Sequence, residues 1–304
     1  MQVAPAGEIV IHTEGLAKDF GGGKGLLGID LDVRRGEIFG FLGPNGSGKS
    51  TAMRTLLNLI QPTAGSATIL GLDIIRGSGE IRRRVGYLPG DFRLYGDLTG
   101  DEVLDYFAAL RGGVDGTVRE DLCERFSAQT DRPIRDLSTG NRQKIGLVQA
   151  FMHEPELLVL DEPIAGLDPL VQQRFHALLG EVRDQGRTVF LSSHTLSEVE
   201  RVAQRVAVLR EGRLVVVDEL ENLLAVAARG LEVEFAVTPD LGELRAVPGV
   251  SGVTPAHGHV VISYEGSPDA LIKALARHEV VRIRSRGEDL EDVFLRFYRG
   301  ERPS

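Results

Sequence analysis

Two kinds of hydrophobic placement alternate along the first two thirds of this chain. Short apolar runs at Ile38 to Leu42, Leu157 to Leu160 and Thr188 to Leu191 are too brief for helices and predict buried strands. Between them apolar residues recur at helical spacing. Met53, Leu56, Leu57 and Ile60 predict a helix over Ser50 to Ile60, and Ile145, Val148 and Met152 predict one that opens at Leu137-Ser138-Thr139-Gly140-Asn141. Gly21 to Gly25 reads as a turn between two early strands, and Gly112 to Gly116 as a loop inside a helical region running from about 95 to 155. The runs Val206 to Leu209 and Leu214 to Val217, joined by Glu211-Gly212-Arg213, predict a hairpin followed by a helical Glu219 to Ala228.

The pattern then changes, and we place a domain boundary near Arg229-Gly230, giving a first domain over 1–228 and a small accessory domain over 229–304. The second reads as strand Leu231 to Val237, helix Leu241 to Val247, strands near Val250 to Thr254 and His259 to Tyr264, helix Pro268 to His278, strand Val280 to Ser285 and a last helix from Glu288. That order is βαββαβα, ferredoxin-like in outline. Alternation over Val281 to Arg286 puts Arg282, Arg284 and Arg286 on one face, either a solvated face or a surface for acidic lipid or protein.

The chemistry is concentrated at the ends of the buried runs. Gly43-Pro44-Asn45-Gly46-Ser47-Gly48-Lys49-Ser50, with Thr51 behind it, matches the phosphate-binding pattern G-x-x-x-x-G-K-[ST] without a mismatch and lies between a predicted strand and a predicted helix. Its glycines let backbone N–H groups face phosphates, Lys49 brings a point charge, and the Ser50 hydroxyl suits Mg²⁺. The run Leu157 to Leu160 delivers Asp161 and Glu162 together at a strand end, a placement suited to Mg²⁺ and water chemistry. The start of the helix at Ser138 exposes N–H groups and a positive dipole end, which attract phosphate.

These residues together resemble the ATP-binding cassette (ABC) ATPases, specifically the stand-alone nucleotide-binding subunits of ABC-2 type bacterial exporters, over residues 8 to about 225. The resemblance implies an α/β P-loop NTPase fold with a helical subdomain, ATP and Mg²⁺ as ligands, and a homodimer that powers a separate integral-membrane permease from the cytoplasmic face. It makes Ser138, Thr139, Gly140 and Asn141 a signature loop acting on the partner subunit's nucleotide, where the family usually reads LSGGQ. Asp161 then resembles the metal-holding acid, Glu162 the catalytic carboxylate, Asp168 part of a dimer-contact loop, and His194 the switch histidine. Phe20 resembles the aromatic that stacks on adenine, with core packing as the other reading. One departure stands out: after Val85 to Pro89 the family usually places a glutamine, whereas here Gly90 and Asp91 follow, so Asp91 becomes the candidate metal ligand if the loop shifts by one. The segment Phe92 to Tyr106 resembles the surface that receives a permease helix, or is a plain connection.

Composition narrows the alternatives. At 304 residues and 42% hydrophobic content the chain can bury more than one core. A net charge of -9 argues against nucleic acid as the main partner, because phosphate neutralisation needs a basic footprint. No apolar window approaches eighteen residues and Met1 to Val10 lacks signal-peptide character, which predicts a cytosolic or peripheral protein. The single cysteine, Cys123, excludes an intrachain disulfide. The rival classes are a soluble cassette ATPase acting on DNA or ribosomes, against which the absence of tandem cassettes and of a coiled-coil insertion counts, and an ATP-dependent assembly module, against which Glu162 counts.

Overall fold

A computed structural model describes residues 7–92, 94–226, 229–256, 258–264 and 266–287. The chain divides into two compact units, Met1–Leu220 and Glu221–Ser304. The break falls ahead of the expected one at 228/229, because Arg229 and Gly230 are already paired inside a strand, opposite Tyr264 and Ser263.

The first unit opens with β1 (Ile9–Asp19) and β2 (Gly25–Arg34), an antiparallel pair around the Gly21 to Gly23 turn. Next come β3 (Ile38–Leu42), α1 (Lys49–Leu56), β4 (Ala64–Ile69), β5 (Leu72–Asp73), α2 (Ser78–Arg84) and β6 (Val85–Leu88). The helical region holds α3 (Gly100–Leu110), α4 (Gly116–Phe126) and, after a 3₁₀ turn at Ile134–Asp136, α5 (Thr139–Phe151). The unit continues through β7 (Leu157–Asp161), α6 (Pro169–Asp184), β8 (Thr188–Ser193), α7 (Leu196–Glu200), β9 (Arg205–Arg210) and β10 (Arg213–Glu219).

Two sheets result. One is antiparallel in the order β2-β1-β4-β5, and the other runs β10-β9-β3-β8-β7-β6, with β9, β3, β8, β7 and β6 parallel and β10 antiparallel at the edge. Every residue of β3, β7 and β8 is buried, as continuous apolar runs require when both faces are covered. Phe39, Phe41 and Phe190 pack with ring centroids 5.9 and 5.2 Å apart in a core shared by both sheets. Burying each ring stabilises the unit by roughly 1.5–3 kcal/mol.

Two local predictions need correction. α1 stops at Leu56 rather than Ile60, because Asn58 turns left-handed at φ 51° and leaves Leu59 half exposed. The hairpin turn has two residues, not three: Glu211 (φ 48°) and Gly212 (φ 77°) both take positive φ, the geometry of a type I′ turn.

The second unit contains α8 from Glu221 onward (Leu220–Val226), β11 (Arg229–Phe235), α9 (Leu241–Arg245), β12 (Val250–Ala256), β13 (His259–Tyr264), α10 (Asp269–Leu275) and β14 (Val280–Gly287). Its sheet runs β12-β13-β11-β14, and Leu231, Val233, Val260 and Ile262 pack with Leu244 and Leu271. Glu232 and Glu234 lie in register with Arg284 and Arg282, so the arginine face meets acids on the neighbouring strand. The helix expected from Glu288, and the side chain of Arg286, lie outside the described residues.

The end of α2 carries a titratable group. Arg111 donates to the carbonyls of Arg82 (2.5 Å), Arg83 (3.1 Å) and Val85 (3.2 Å), closing the C-terminal turn. His153 Nε2 donates to the same Val85 carbonyl at 3.3 Å while its Nδ1 is buried without a partner. Burial, reinforced by the positive charge of Arg111, lowers the His153 pKa to about 4. The folded state therefore keeps His153 neutral, so its contribution is intact above the unfolded pKa near 6.5 and is lost as pH falls toward about 4. His153→Gln retains a donor that does not titrate. Between pH 7 and 4.5 its unfolding free energy should fall by about 2 kcal/mol less than wild type in urea titrations.

Candidate functional site

The functional side chains meet at one edge of the parallel sheet because neighbouring strands end level. Leu42 of β3 pairs with Ser193 of β8, and Asp161 of β7 pairs with Ser192 of β8. The residues that follow each strand therefore emerge side by side at its carboxyl end, where open α/β sheets bind ligands.

After β3 the chain curls tightly. A Cβ on Gly43 would lie 2.5 Å from both the Leu209 carbonyl and Ser47 Oγ, while Gly46 (φ 82°) and Gly48 (φ 111°) take conformations that favour glycine. Pro44, Asn45 and Gly46 are exposed at the tip, whereas Ser47 and Lys49 are buried. α1 begins at Lys49 with no side-chain cap and no acid in its first turn, so its leading N–H groups and dipole face the pocket. Lys49 Nζ donates to the carbonyls of Gly43 at 2.5 Å and Pro44 at 3.4 Å. A pocket of about 230 Å³ is lined by this loop, by Ser50 and Thr51, by Glu162 and by Phe20. Phe20 is 60% exposed, with Lys18 Nζ 5.4 Å from its ring centroid, so a free aromatic face is presented there rather than packed into the core.

The acids are held from behind. Asp161 is fully buried and accepts from Ser192 Oγ at 2.6 Å, and Ser192 Oγ in turn accepts from the Glu162 N–H at 3.1 Å. Glu162 has φ 50°, a left-handed conformation that costs a non-glycine residue on the order of 1–3 kcal/mol. Its carboxylate lies 3.3 Å from Lys49 Nζ through Oε1 and 2.7 Å from His194 Nδ1 through Oε2. His194 is half exposed, just beyond β8. Below it Ser193 Oγ bonds Glu198, whose carboxyl is pushed up by burial and by the Glu162 charge, while the Ser193 bond acts in the opposite sense.

The donor set fits a nucleotide triphosphate with a hard cation. A buried lysine and an uncapped helix start face the pocket, Ser47 Oγ is buried without a hydrogen-bond partner, and Glu162 Oε1 has the Lys49 charge beside it but no hydrogen bond. Among the described residues no group of three His, Cys, Asp or Glu is placed to hold a metal unaided. Ser50 and Asp161 would thus share Mg²⁺ with phosphate and water oxygens.

Several expected site residues have contacts of their own within the chain. Gly90 approaches Asp161: its N–H lies 3.4 Å from Asp161 Oδ2, and a Cβ there would come within 3.1 Å of that oxygen. Asp91 lines two clefts with Phe92, one of which Arg135 also lines. Asn141 is buried and clamped to its own chain, accepting from the Gln129 N–H at 2.8 Å and donating to the Gln129 carbonyl at 2.7 Å. Asp168 caps α6, accepting from the Val171 N–H at 3.0 Å, a bond that holds its carboxyl below the usual range. Ser138 caps α5 and Thr139 Oγ1 accepts from Arg142, yet both remain exposed; Gly140 packs against the Gly166 carbonyl. Two residues with direct bonds to the acid pair escaped sequence reasoning, Ser192 and Gln143, since neither spacing nor residue type marks them.

With this geometry in place, comparisons assign the class. The family profile described as ABC transporter matches residues 26–165. The bacitracin transport ATP-binding protein BcrA of Enterococcus faecalis is 34% identical over 303 residues, 96% of this chain and 97% of that protein. The Nod factor export ATP-binding protein I of Ralstonia nicotianae is 32% identical over 94% of this chain and 93% of its own length. A solved structure of an ATP binding subunit of an ABC transporter superposes with TM-score 0.65 at 29% identity, covering 70% of this chain and 91% of that one. The chain belongs to the ATP-binding subunits of ABC transporters, ATPases that couple ATP hydrolysis to transport. No helix among the described residues is long and apolar enough to cross a membrane.

Two substitutions separate the site from its surroundings. Lys49→Ala should weaken ATP binding about a hundredfold or more in calorimetry, since it removes several charge-assisted bonds at once. Asp91→Ala should leave the Mg²⁺ concentration for half-maximal ATPase activity unchanged, and a rise in that concentration would return Asp91 to the metal site.

Proposed function

We propose that this subunit powers export through a separate membrane permease, working as a head-to-tail homodimer at the cytoplasmic face of a bacterial membrane. One observation carries the pairing: Ser138 and Thr139 are exposed, and neither they nor Gly140 line the chain's own nucleotide pocket. A phosphate-seeking helix start that does not face its own nucleotide fits a second subunit's.

In that arrangement the pocket closes over ATP, with adenine on Phe20 and the phosphates on Gly43 to Thr51. Ser50 and Asp161 would hold Mg²⁺, which would supply Lewis-acid chemistry to the phosphates. Glu162 orients a water and takes its proton as the water oxygen attacks the terminal phosphorus. The bond to the bridging oxygen breaks and its electron pair leaves on ADP. Lys49 stabilises the charge on the phosphoryl oxygens, and His194, 2.7 Å from Glu162 Oε2, holds that carboxylate while its ring reaches toward the terminal phosphate.

The permease is proposed to dock in the apolar cleft of about 540 Å³ lined by Leu57, Leu59, Tyr87, Phe92, Phe107 and Leu110 and flanked by Arg82, Arg83 and Arg111. Leu110 is 63% exposed there, and a cleft of this kind accepts an amphipathic helix with acidic flanks. The second unit, Glu221–Ser304, is read as an accessory domain, since every residue named in the reaction lies earlier. The cargo is then chosen by the permease.

Glu162→Gln should bind ATP yet turn over at least about a hundredfold slower, accumulating a dimer on size-exclusion chromatography with ATP and Mg²⁺. A variant that remains monomeric would refute the pairing. Leu110→Glu should keep the basal ATPase rate while losing permease-stimulated turnover and transport in proteoliposomes.

A further inference from the structure

α5 performs two tasks from adjoining turns. Its first residues carry the exposed Ser138 and Thr139, and its next turn grips the loop that follows β7. Gln143, 8% exposed, donates through Nε2 to the carbonyls of Pro163 at 2.9 Å and Glu162 at 3.4 Å. On the same stretch of helix, a Cβ on Gly140 would lie 2.6 Å from the Gly166 carbonyl, and Lys144 reaches Asp168 at 3.7 Å. The loop 162–168 is therefore seated on the opening turns of α5 at three points.

Glu162 needs such a seat. It is left-handed at φ 50° and precedes Pro163, so its backbone is held where a free chain would rarely stay. Its N–H is held by Ser192 Oγ, while its carbonyl accepts from the Ala165 N–H at 3.2 Å and from Gln143. Turning that peptide plane would swing the carboxylate away from Lys49 and His194.

We propose that Gln143 is a positioning residue for Glu162, and that through it the binding of one nucleotide is coupled to hydrolysis of the other. The inference rests on the head-to-tail pairing proposed above. In that dimer Ser138 and Gly140 bind the partner's nucleotide while Gln143, one turn further along, holds the base of its own subunit's site. Seating α5 on one ATP and aligning the base over the other are then a single movement, a coupling that runs equally in both directions.

Three substitutions at one position test this. Gln143→Met keeps the volume but removes the donor, and should lower kcat about tenfold or more with KM for ATP within about twofold, and bring the Hill coefficient for ATP toward 1. Gln143→His retains a donor and should recover part of the rate. Gln143→Glu places a carboxylate against two carbonyl oxygens and regains a donor only when protonated, so its rate relative to wild type should rise as pH falls from 8 to 6. A purely structural residue would leave that ratio flat with pH. ATP-dependent dimer formation by Glu162→Gln, with and without Gln143→Met, reports the pairing separately. Failure of Glu162→Gln to dimerise overturns the pairing. Dimerisation combined with a wild-type kcat and Hill coefficient in Gln143→Met overturns the role of Gln143. Should Gln143→Met not fold, the pH profile of Gln143→Glu decides alone.

Discussion

The level ending of β3, β8 and β7 is the constraint on which the rest of this molecule depends. Parallel pairing brings Leu42 beside Ser193, and Ser192 beside Asp161. A shift of one residue in either ladder would turn every side chain of that strand to the opposite face and carry Lys49, Glu162 and His194 apart. The shared core of Phe39, Phe41 and Phe190 guards against such a shift, because each ring fits only on its own side of the sheet. Site geometry and hydrophobic packing are thus one requirement.

The electrostatics follow from that placement. Lys49 and Glu162 come together where water is scarce, Lys49 being 5% exposed, and each compensates the other's desolvation. Lys49 also holds two loop carbonyls and Glu162 also holds His194, so neither charge depends on a single partner. Asp161 is kept apart from this set by Ser192 and the Gly90 N–H, which leaves two adjacent acids in different surroundings. One is surrounded by hydrogen-bond donors, the other lies against the Lys49 ammonium and the His194 ring, and that contrast suits the two roles proposed for them.

Backbone strain and glycine size determine the remaining contacts. Gly140 lies where any side chain would strike the Gly166 carbonyl, and Gly90 where a Cβ would crowd Asp161. Both positions bring backbone against the acid-bearing loop, and Gln143 then ties that loop to α5. The second unit is organised by itself. Its sheet is built from an ordinary two-faced pattern, with Leu231, Val233, Val260 and Ile262 inward and Glu232, Glu234, Arg282 and Arg284 in register on the other side.

What the sequence determined by itself was whatever depends on neighbours along the chain. The phosphate loop at Gly43 to Ser50, the buried strands, the acid pair and the βαββαβ order of the second unit were all legible because turn chemistry, periodicity and strand brevity are local properties. Only the tertiary structure decided which groups would be occupied by residues distant in sequence. Asn141 is held by Gln129, the Gly90 N–H approaches Asp161, and Ser192 and Gln143 secure Glu162 from strands and helices some twenty to thirty residues off. Even α1 ended early for a reason its periodicity does not contain, since Asn58 turns left-handed while the apolar spacing continues through Ile60. A hydrogen bond across a fold leaves no period in the sequence, so these assignments had to wait until the strands were placed side by side.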